Sequence, residues 1–159
     1  MRSRLFGFAF LLFACAAPLL AQQSGSMANG SIDYDSAGVP QSLQFRAHLH
    51  DGSGPVDGTI KFDGTVDGNP VTATVTVDCL VVSGNQAFMA GAITDSSDPL
   101  LIGQRSYLSV EDNGQGKNPA TPDRFTFILV SGADCHIAIL PSQDVTNGHV
   151  HVKASNAPF

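Results

Sequence analysis

Apolar residues recur at every second position through most of this chain, and after the first twenty residues no stretch keeps the spacing of an amphipathic helix. In residues 43–50, for example, Leu43, Phe45, Ala47 and Leu49 alternate with polar side chains. Such alternation is typical of a strand with one buried and one solvated face. Breaks rich in Gly, Asp, Asn and Pro separate the segments and indicate turns. The pattern therefore predicts an all-β protein.

About eight short strands can be placed in this way. The clearest has six residues expected on one face: Val71, Ala73, Val75, Val77, Cys79 and Val81. The other segments cover residues 43–50, 57–63, 86–94, 104–111, 124–130, 135–140 and 149–153. The connections are too short for the helical crossover that a parallel pair needs. We therefore expect an antiparallel sandwich or small barrel.

The N-terminus is typical of a bacterial signal peptide. A basic start with Arg2 and Arg4 precedes an apolar run, and Ala21 is followed by polar residues. We expect cleavage after Ala21, which leaves a flexible leader over residues 22–30 and one β-domain over 31–155. The alternative is a lipobox ending at Cys15, which would become the lipid anchor. No later segment is apolar for long enough to span a bilayer, so we expect a secreted or periplasmic protein.

The cysteines indicate an oxidising compartment. Of the three, Cys15 is lost by cleavage or lipidation, which leaves the pair Cys79 and Cys135. An even pair in an exported domain is typical of a disulfide. Two separate buried thiols are the alternative. A metal pair is less favoured, because no CxxC motif or Cys/His cluster is evident around them.

Charge argues against one class of partner. Without Arg2 and Arg4, the chain has six Lys and Arg residues and 14 Asp and Glu residues, which gives a formal charge of −8. Proteins that bind nucleic acid need clustered Lys and Arg to neutralise phosphates. We therefore expect no nucleic-acid partner, and an envelope or extracellular ligand that the sequence does not identify.

Several sequence blocks together resemble a known group of proteins. The blocks are residues 77–93, residues 110–116 with 122–125, residues 133–135 and residues 147–152. They are similar to small secreted bacterial β-domains of unassigned activity, and the resemblance covers about residues 28–154. It implies an antiparallel β-fold and a disulfide between Cys79 and Cys135. It implies no catalytic residues.

Two His-x-His pairs are the sharpest candidates for a site. They are His48 with His50 and His149 with His151, and His136 is a possible fifth member. Residues i and i+2 of a strand project to the same side, so each pair could chelate one ion. If the two strands were neighbours, four imidazoles would share one patch, and the protein could be a metal-binding protein or metalloenzyme. The alternation, however, points these histidines to solvent, where an ion lacks the supporting contacts of a catalytic site.

Other catalytic patterns are weak. The chain has no Gly-x-Ser-x-Gly motif, and the acid pairs Asp33/Asp35 and Glu111/Asp112 are expected in solvated strand ends. The turn at residues 112–114 could bind calcium weakly, although it lacks the spacing of a calcium loop. We therefore expect no cofactor and no enzymatic activity, and favour a binding or structural module at the cell envelope.

Overall fold

The computed structural model describes residues 25–50, 54–114 and 121–155, and these form an antiparallel β-structure. The predicted signal peptide and Cys15 lie outside the described residues. The nine strands are β1 Ser26–Ser36, β2 Val39–Leu49, β3 Val56–Val66, β4 Asn69–Ser83, β5 Gln86–Ser96, β6 Arg105–Glu111, β7 Arg124–Ile128, β8 Gln143–Asp144 and β9 Asn147–Lys153. One short 3-10 helix, Pro99–Leu101, lies between β5 and β6.

All nine strands belong to one sheet, in the order β8-β7-β6-β5-β4-β3-β2-β1-β9. Consecutive strands are therefore neighbours, except that the last strand returns to lie beside the first. The sheet curls into a half-barrel. The predicted all-β, antiparallel fold is confirmed, and its single curled sheet resembles the barrel alternative more than the sandwich.

Tight turns hold the strands in register. The β1–β2 hairpin turns at Ala37 and Gly38, and the β3–β4 hairpin turns at Asp67 and Gly68. In both turns the two central residues have positive φ, between 50° and 83°. Two-residue turns of this kind match the right-handed twist of the flanking strands.

The first strand corrects the predicted flexible leader. Residues 26–30 were expected to be flexible, but they form the first half of β1, which pairs with β2 on one side and β9 on the other. Ser, Gly, Asn and Asp have low strand propensity, so the segment does not look like a strand in isolation. Its small residues are needed here: a Cβ at Gly30 would lie 2.6 Å from Cζ of Phe45. Tertiary packing, not local preference, makes this segment a strand.

The concave side of the sheet encloses the main core. Two aromatic pairs show how far the sheet curls, because each joins strands that are distant in the sheet order. The rings of Tyr34 on β1 and Phe125 on β7 meet edge to face at 4.9 Å, and those of Phe62 on β3 and Phe127 on β7 stack at 5.5 Å. Burial raises the pKa of Tyr34 to about 12, and its hydroxyl donates to Oε1 of Gln41.

Two carboxylates close the seam between β9 and the connection that joins β6 to β7. The amides of Val150 and Val152 point away from β1 and donate to Oδ2 of Asp123 and Oδ2 of Asp112, at 3.1 Å and 3.0 Å. The other carboxylate oxygens accept from backbone amides of their own connection, those of Asn113 and Gly114. The acids take the place of a strand partner, so the edge of β9 is covered although the barrel is not closed by a ladder.

Replacing Asp123 with Ala should weaken this seam. Two backbone amides lose their acceptor, and each such loss typically costs about 1–3 kcal/mol when the group stays shielded from water. We expect Asp123→Ala to lower the free energy of unfolding by about 2 kcal/mol in urea denaturation.

Asp63→Ala is the matched control, because Asp63 is exposed on β3. Its effect should stay within about 0.5 kcal/mol. Equal effects of the two substitutions would contradict a closing role for Asp123.

Candidate functional site

Three rows of paired residues cross β9, β1, β2 and β3 on the convex side of the sheet. The rows are Lys153–Met27–His48–Asp57, His151–Asn29–Arg46–Thr59 and His149–Ser31–Gln44–Lys61. We call these twelve residues the histidine face. None of them is buried, whereas most of the alternating residues between them, such as Ala47 and Val150, are. The predicted outward direction of the histidines is confirmed.

The two His-x-His pairs do not meet in one patch. β1 lies between β2 and β9, so two strand spacings of about 4.8 Å each separate the pairs. The adjacency that a four-imidazole site would require is therefore absent, because β1, which the sequence did not reveal, separates the two strands. His136, the possible fifth member, lies elsewhere, beside Cys79 and Cys135.

Each pair has its own geometry. The His48 and His50 rings are 4.0 Å apart, with Nδ1 of His48 3.2 Å from Nε2 of His50, a spacing at which both nitrogens could bind one ion. His151 instead lies 3.5 Å from the carboxylate of Asp112, and His149 is exposed. Among the described residues, neither pair belongs to a group of three or more potential metal ligands.

A shallow depression of about 460 Å³ lies within the histidine face. Its lining includes Ser31, Gln44, Arg46, Lys61 and His149. Arg46 is 3.8 Å from Asp57, but both side chains are more than 70 % exposed, so this pair holds the guanidinium weakly. The depression therefore offers cations together with amide and hydroxyl groups.

A β-bulge divides the convex side into two regions. The register of β4 against β5 shifts between Val77 and Cys79. We predicted that Cys79 and Val81 would share the face of Val77; instead, Leu80 joins Val77 in the main core, and both Cys79 and Val81 face outward. The extra residue of a bulge reverses the alternation that follows it, which the sequence pattern alone does not reveal.

Several outward residues of β4–β7 pack against residues 129–142, which we call the latch loop. The predicted strand over 135–140 is wrong: these residues belong to the loop. The hydroxyl of Tyr107 donates to the carbonyl of Ile137 and accepts from the amide of Ile139. Phe88, Ala90, Tyr107 and Cys135 form a second, smaller core beneath it. Its formation depends on the bulge that turns Cys79 outward.

The disulfide joins the latch loop to the sheet. Cys79 on β4 and Cys135 in the loop are bonded, with their Cα atoms 5.7 Å apart, within the ordinary range for a disulfide. This confirms the pairing. We grouped His136 with the His-x-His pairs and expected no Cys/His cluster around the cysteines; that expectation is wrong, because Nδ1 of His136 lies 3.7 Å from Sγ of Cys79 and 3.9 Å from Sγ of Cys135. Its position directly after Cys135 was the available signal.

An ion pair lies next to this cross-link. Nη1 and Nη2 of Arg105 donate to Oδ2 and Oδ1 of Asp78, at 2.9 Å and 2.8 Å. These hydrogen bonds lower the pKa of Asp78 and raise that of Arg105. The arrangement is bidentate, the geometry that best fits a guanidinium to a carboxylate.

The acids that could have supplied catalysis or calcium binding have structural contacts. Asp112 accepts from the amides of Gly114 and Val152, and its side chain is only 12 % exposed. Glu111 accepts from the side-chain amide of Gln86. These contacts hold the seam and the end of the β5–β6 pair.

Comparisons with protein-family profiles, with curated proteins and with solved structures give no match to this chain. None of the helices in the described part of the chain is long and apolar enough to cross a membrane.

Breaking the disulfide should destabilise the domain. The bonded cysteines are 56 positions apart along the chain, and loss of the bond raises the conformational entropy of the unfolded state. We expect Cys79→Ser to lower the free energy of unfolding by about 2–5 kcal/mol, measured by chemical denaturation. Thiol titration of the denatured, unreduced protein should find no thiol at Cys79 or Cys135, and two reactive thiols there would contradict the bond.

Proposed function

We propose that this protein is an exported binding module that attaches to an anionic polysaccharide through the histidine face. The observation that carries the proposal is the charge of this face. It holds Arg46, Lys61 and Lys153, half of the six Lys and Arg residues that follow residue 21, in a chain with a formal net charge of −6. Asp57 is the single acid among its twelve residues.

The chemistry of the face suits a sugar polymer. Arg46 and Lys61 can bind carboxylate groups, and the guanidinium can do so through two parallel hydrogen bonds. Asn29, Ser31, Gln44 and Thr59 lie between the cations and can exchange hydrogen bonds with sugar hydroxyls. The face is wide and only shallowly concave at the 460 Å³ depression, which suits an extended polymer better than an enclosed small molecule.

Binding is favoured over catalysis because the acids have structural contacts and the histidines lie in the open. Asp112 and Asp123 accept hydrogen bonds from the backbone of the seam. His48, His50 and His149 lie on an open surface, whereas a catalytic site is normally concave and partly dry. We therefore propose that the protein binds its ligand without catalysing a reaction.

Alginate, a polyuronate, is a suitable probe. We expect calorimetric titration to show binding that weakens with added salt, since exposed charges are screened. The double variant Arg46→Gln/Lys61→Gln should weaken the binding at least about tenfold, or about 1.4 kcal/mol.

The control removes the same charge elsewhere. Arg105→Gln/Arg124→Gln changes two arginines of β6 and β7, outside the histidine face. It should change the alginate affinity less than about twofold. An equal loss in both double variants, equal binding of neutral dextran, or no alginate binding would reject the proposal.

Export is the second part of the proposal. The basic start and apolar run before Ala21 support a signal peptide, and the disulfide is compatible with an oxidising compartment. We expect N-terminal sequencing of the exported protein to begin at Gln22. A diacylglyceryl-modified Cys15 would show that the lipoprotein route operates instead.

A further inference from the structure

The disulfide and its neighbouring histidine bring three metal-ligating atoms together. Sγ of Cys79, Sγ of Cys135 and Nδ1 of His136 all lie within 4.8 Å of one another. Three separate features create the cluster. The bulge turns Cys79 outward, the latch loop carries Cys135, and the amide of His136 donates to Oδ1 of Asp134.

The spacing fits tetrahedral coordination. With Zn–S near 2.3 Å and Zn–N near 2.0 Å, tetrahedral ligand atoms lie about 3.5–3.8 Å apart. The two N···S distances in the structure, 3.7 Å and 3.9 Å, are close to this range. In the disulfide, however, neither sulfur is a thiolate, and thiolates are the metal ligands.

We propose that Cys79, Cys135 and His136 form a zinc site that exists only when the disulfide is reduced. A dithiol reductant transfers two electrons and two protons, which breaks the S–S bond, gives two thiols and leaves the reductant as a disulfide. Zinc then displaces both thiol protons and binds the two thiolates and Nδ1. The proton of the neutral imidazole lies on Nε2.

The surroundings allow both steps. The imidazole of His136 is 75 % exposed and Cys79 is partly exposed, so reductant and ion can reach the site from solvent. Cys135 is buried, at 2 % exposure, which anchors one ligand in the second core. Oδ1 of Asp134 lies 3.5 Å from Nδ1 of His136, so either this carboxylate or water can take the fourth position.

The latch loop has contacts that do not depend on the disulfide. Tyr107 makes hydrogen bonds to Ile137 and Ile139, and Oγ1 of Thr126 donates to the carbonyl of Leu140. The amide of Ser131 donates to the carbonyl of Arg105. These bonds keep Cys135 and His136 near Cys79 after reduction, so that a small separation of the two sulfurs suffices for coordination.

Cobalt, as a spectroscopic substitute for zinc, tests the proposal. The protein is reduced with a water-soluble phosphine, which is then removed without oxygen, and Co²⁺ is added. We expect one Co²⁺ per chain, a thiolate-to-cobalt charge-transfer band, the visible bands of tetrahedral cobalt, and displacement by equimolar Zn²⁺.

The variants separate this site from other metal binding. His136→Ala, a change at an exposed side chain, should weaken the affinity at least about tenfold. Cys79→Ser should weaken binding and lower the charge-transfer absorbance, because only one of the two thiolates remains. His48→Ala, which removes an imidazole of the separate His48/His50 pair, should leave the spectrum unchanged. The unreduced protein should give no charge-transfer band.

Three results would contradict the proposed zinc site. They are absence of cobalt binding by the reduced protein, full affinity in His136→Ala, and loss of the spectrum in His48→Ala. The alginate test is made on the unreduced protein, so its outcome is independent of this one.

Discussion

Two carboxylates in the connection between β6 and β7 accept hydrogen bonds from the edge strand β9 and so cap the open end of the sheet. A nine-stranded sheet that curls without closing leaves an edge of unpaired amides at β9, and Asp112 and Asp123 accept from two of them. Their side chains thus do what a further strand would do in a closed barrel. The curl that they fix also allows Phe125 to reach Tyr34 across the core. The main core and the seam therefore depend on each other.

The convex side has two different environments. Over part of β4–β7 it carries the second core, the latch loop and the disulfide, which cover side chains such as Phe88, Ala90 and Tyr107. Over β9, β1, β2 and β3 it stays open and polar, with the cations and histidines of the histidine face. The bulge at Val77–Cys79 helps to set this division, because it directs Cys79 and Val81 outward. The convex side therefore has an open polar surface over β9, β1, β2 and β3, and a disulfide-linked loop over part of β4–β7.

The sequence predicts the parts of the fold that follow from local alternation. Leu43, Phe45 and Ala47 are buried as their spacing requires, and the disulfide follows from an even pair of cysteines. It does not predict β1, whose Ser, Gly and Asn residues form a strand only because both neighbours pair with it. The bulge is equally hidden, because the alternation of residue types in β4 does not reveal where the register against β5 shifts.

The candidate site was predictable to a similar extent. The outward direction of His48 and His149 comes from alternation, but their separation depends on β1, which was not visible. The contact of His136 with the two cysteines needed the fold of the latch loop, and Asp123 became a closing residue only once the curl placed it opposite Val150. The sequence therefore indicates which residues could form a site, but not which of them the fold brings together over long distances in the chain.

The most direct measurement of the seam is hydrogen exchange at the amides of Val150 and Val152, followed by NMR at neutral pH. If Asp123 and Asp112 close the edge, both amides exchange slowly in the unmodified protein, as do amides paired between β1 and β2. Asp112→Ala should then remove protection from Val152 first, and Asp123→Ala from Val150 first. Exchange of both amides at the rate of an unprotected strand edge in the unmodified protein would contradict the closure.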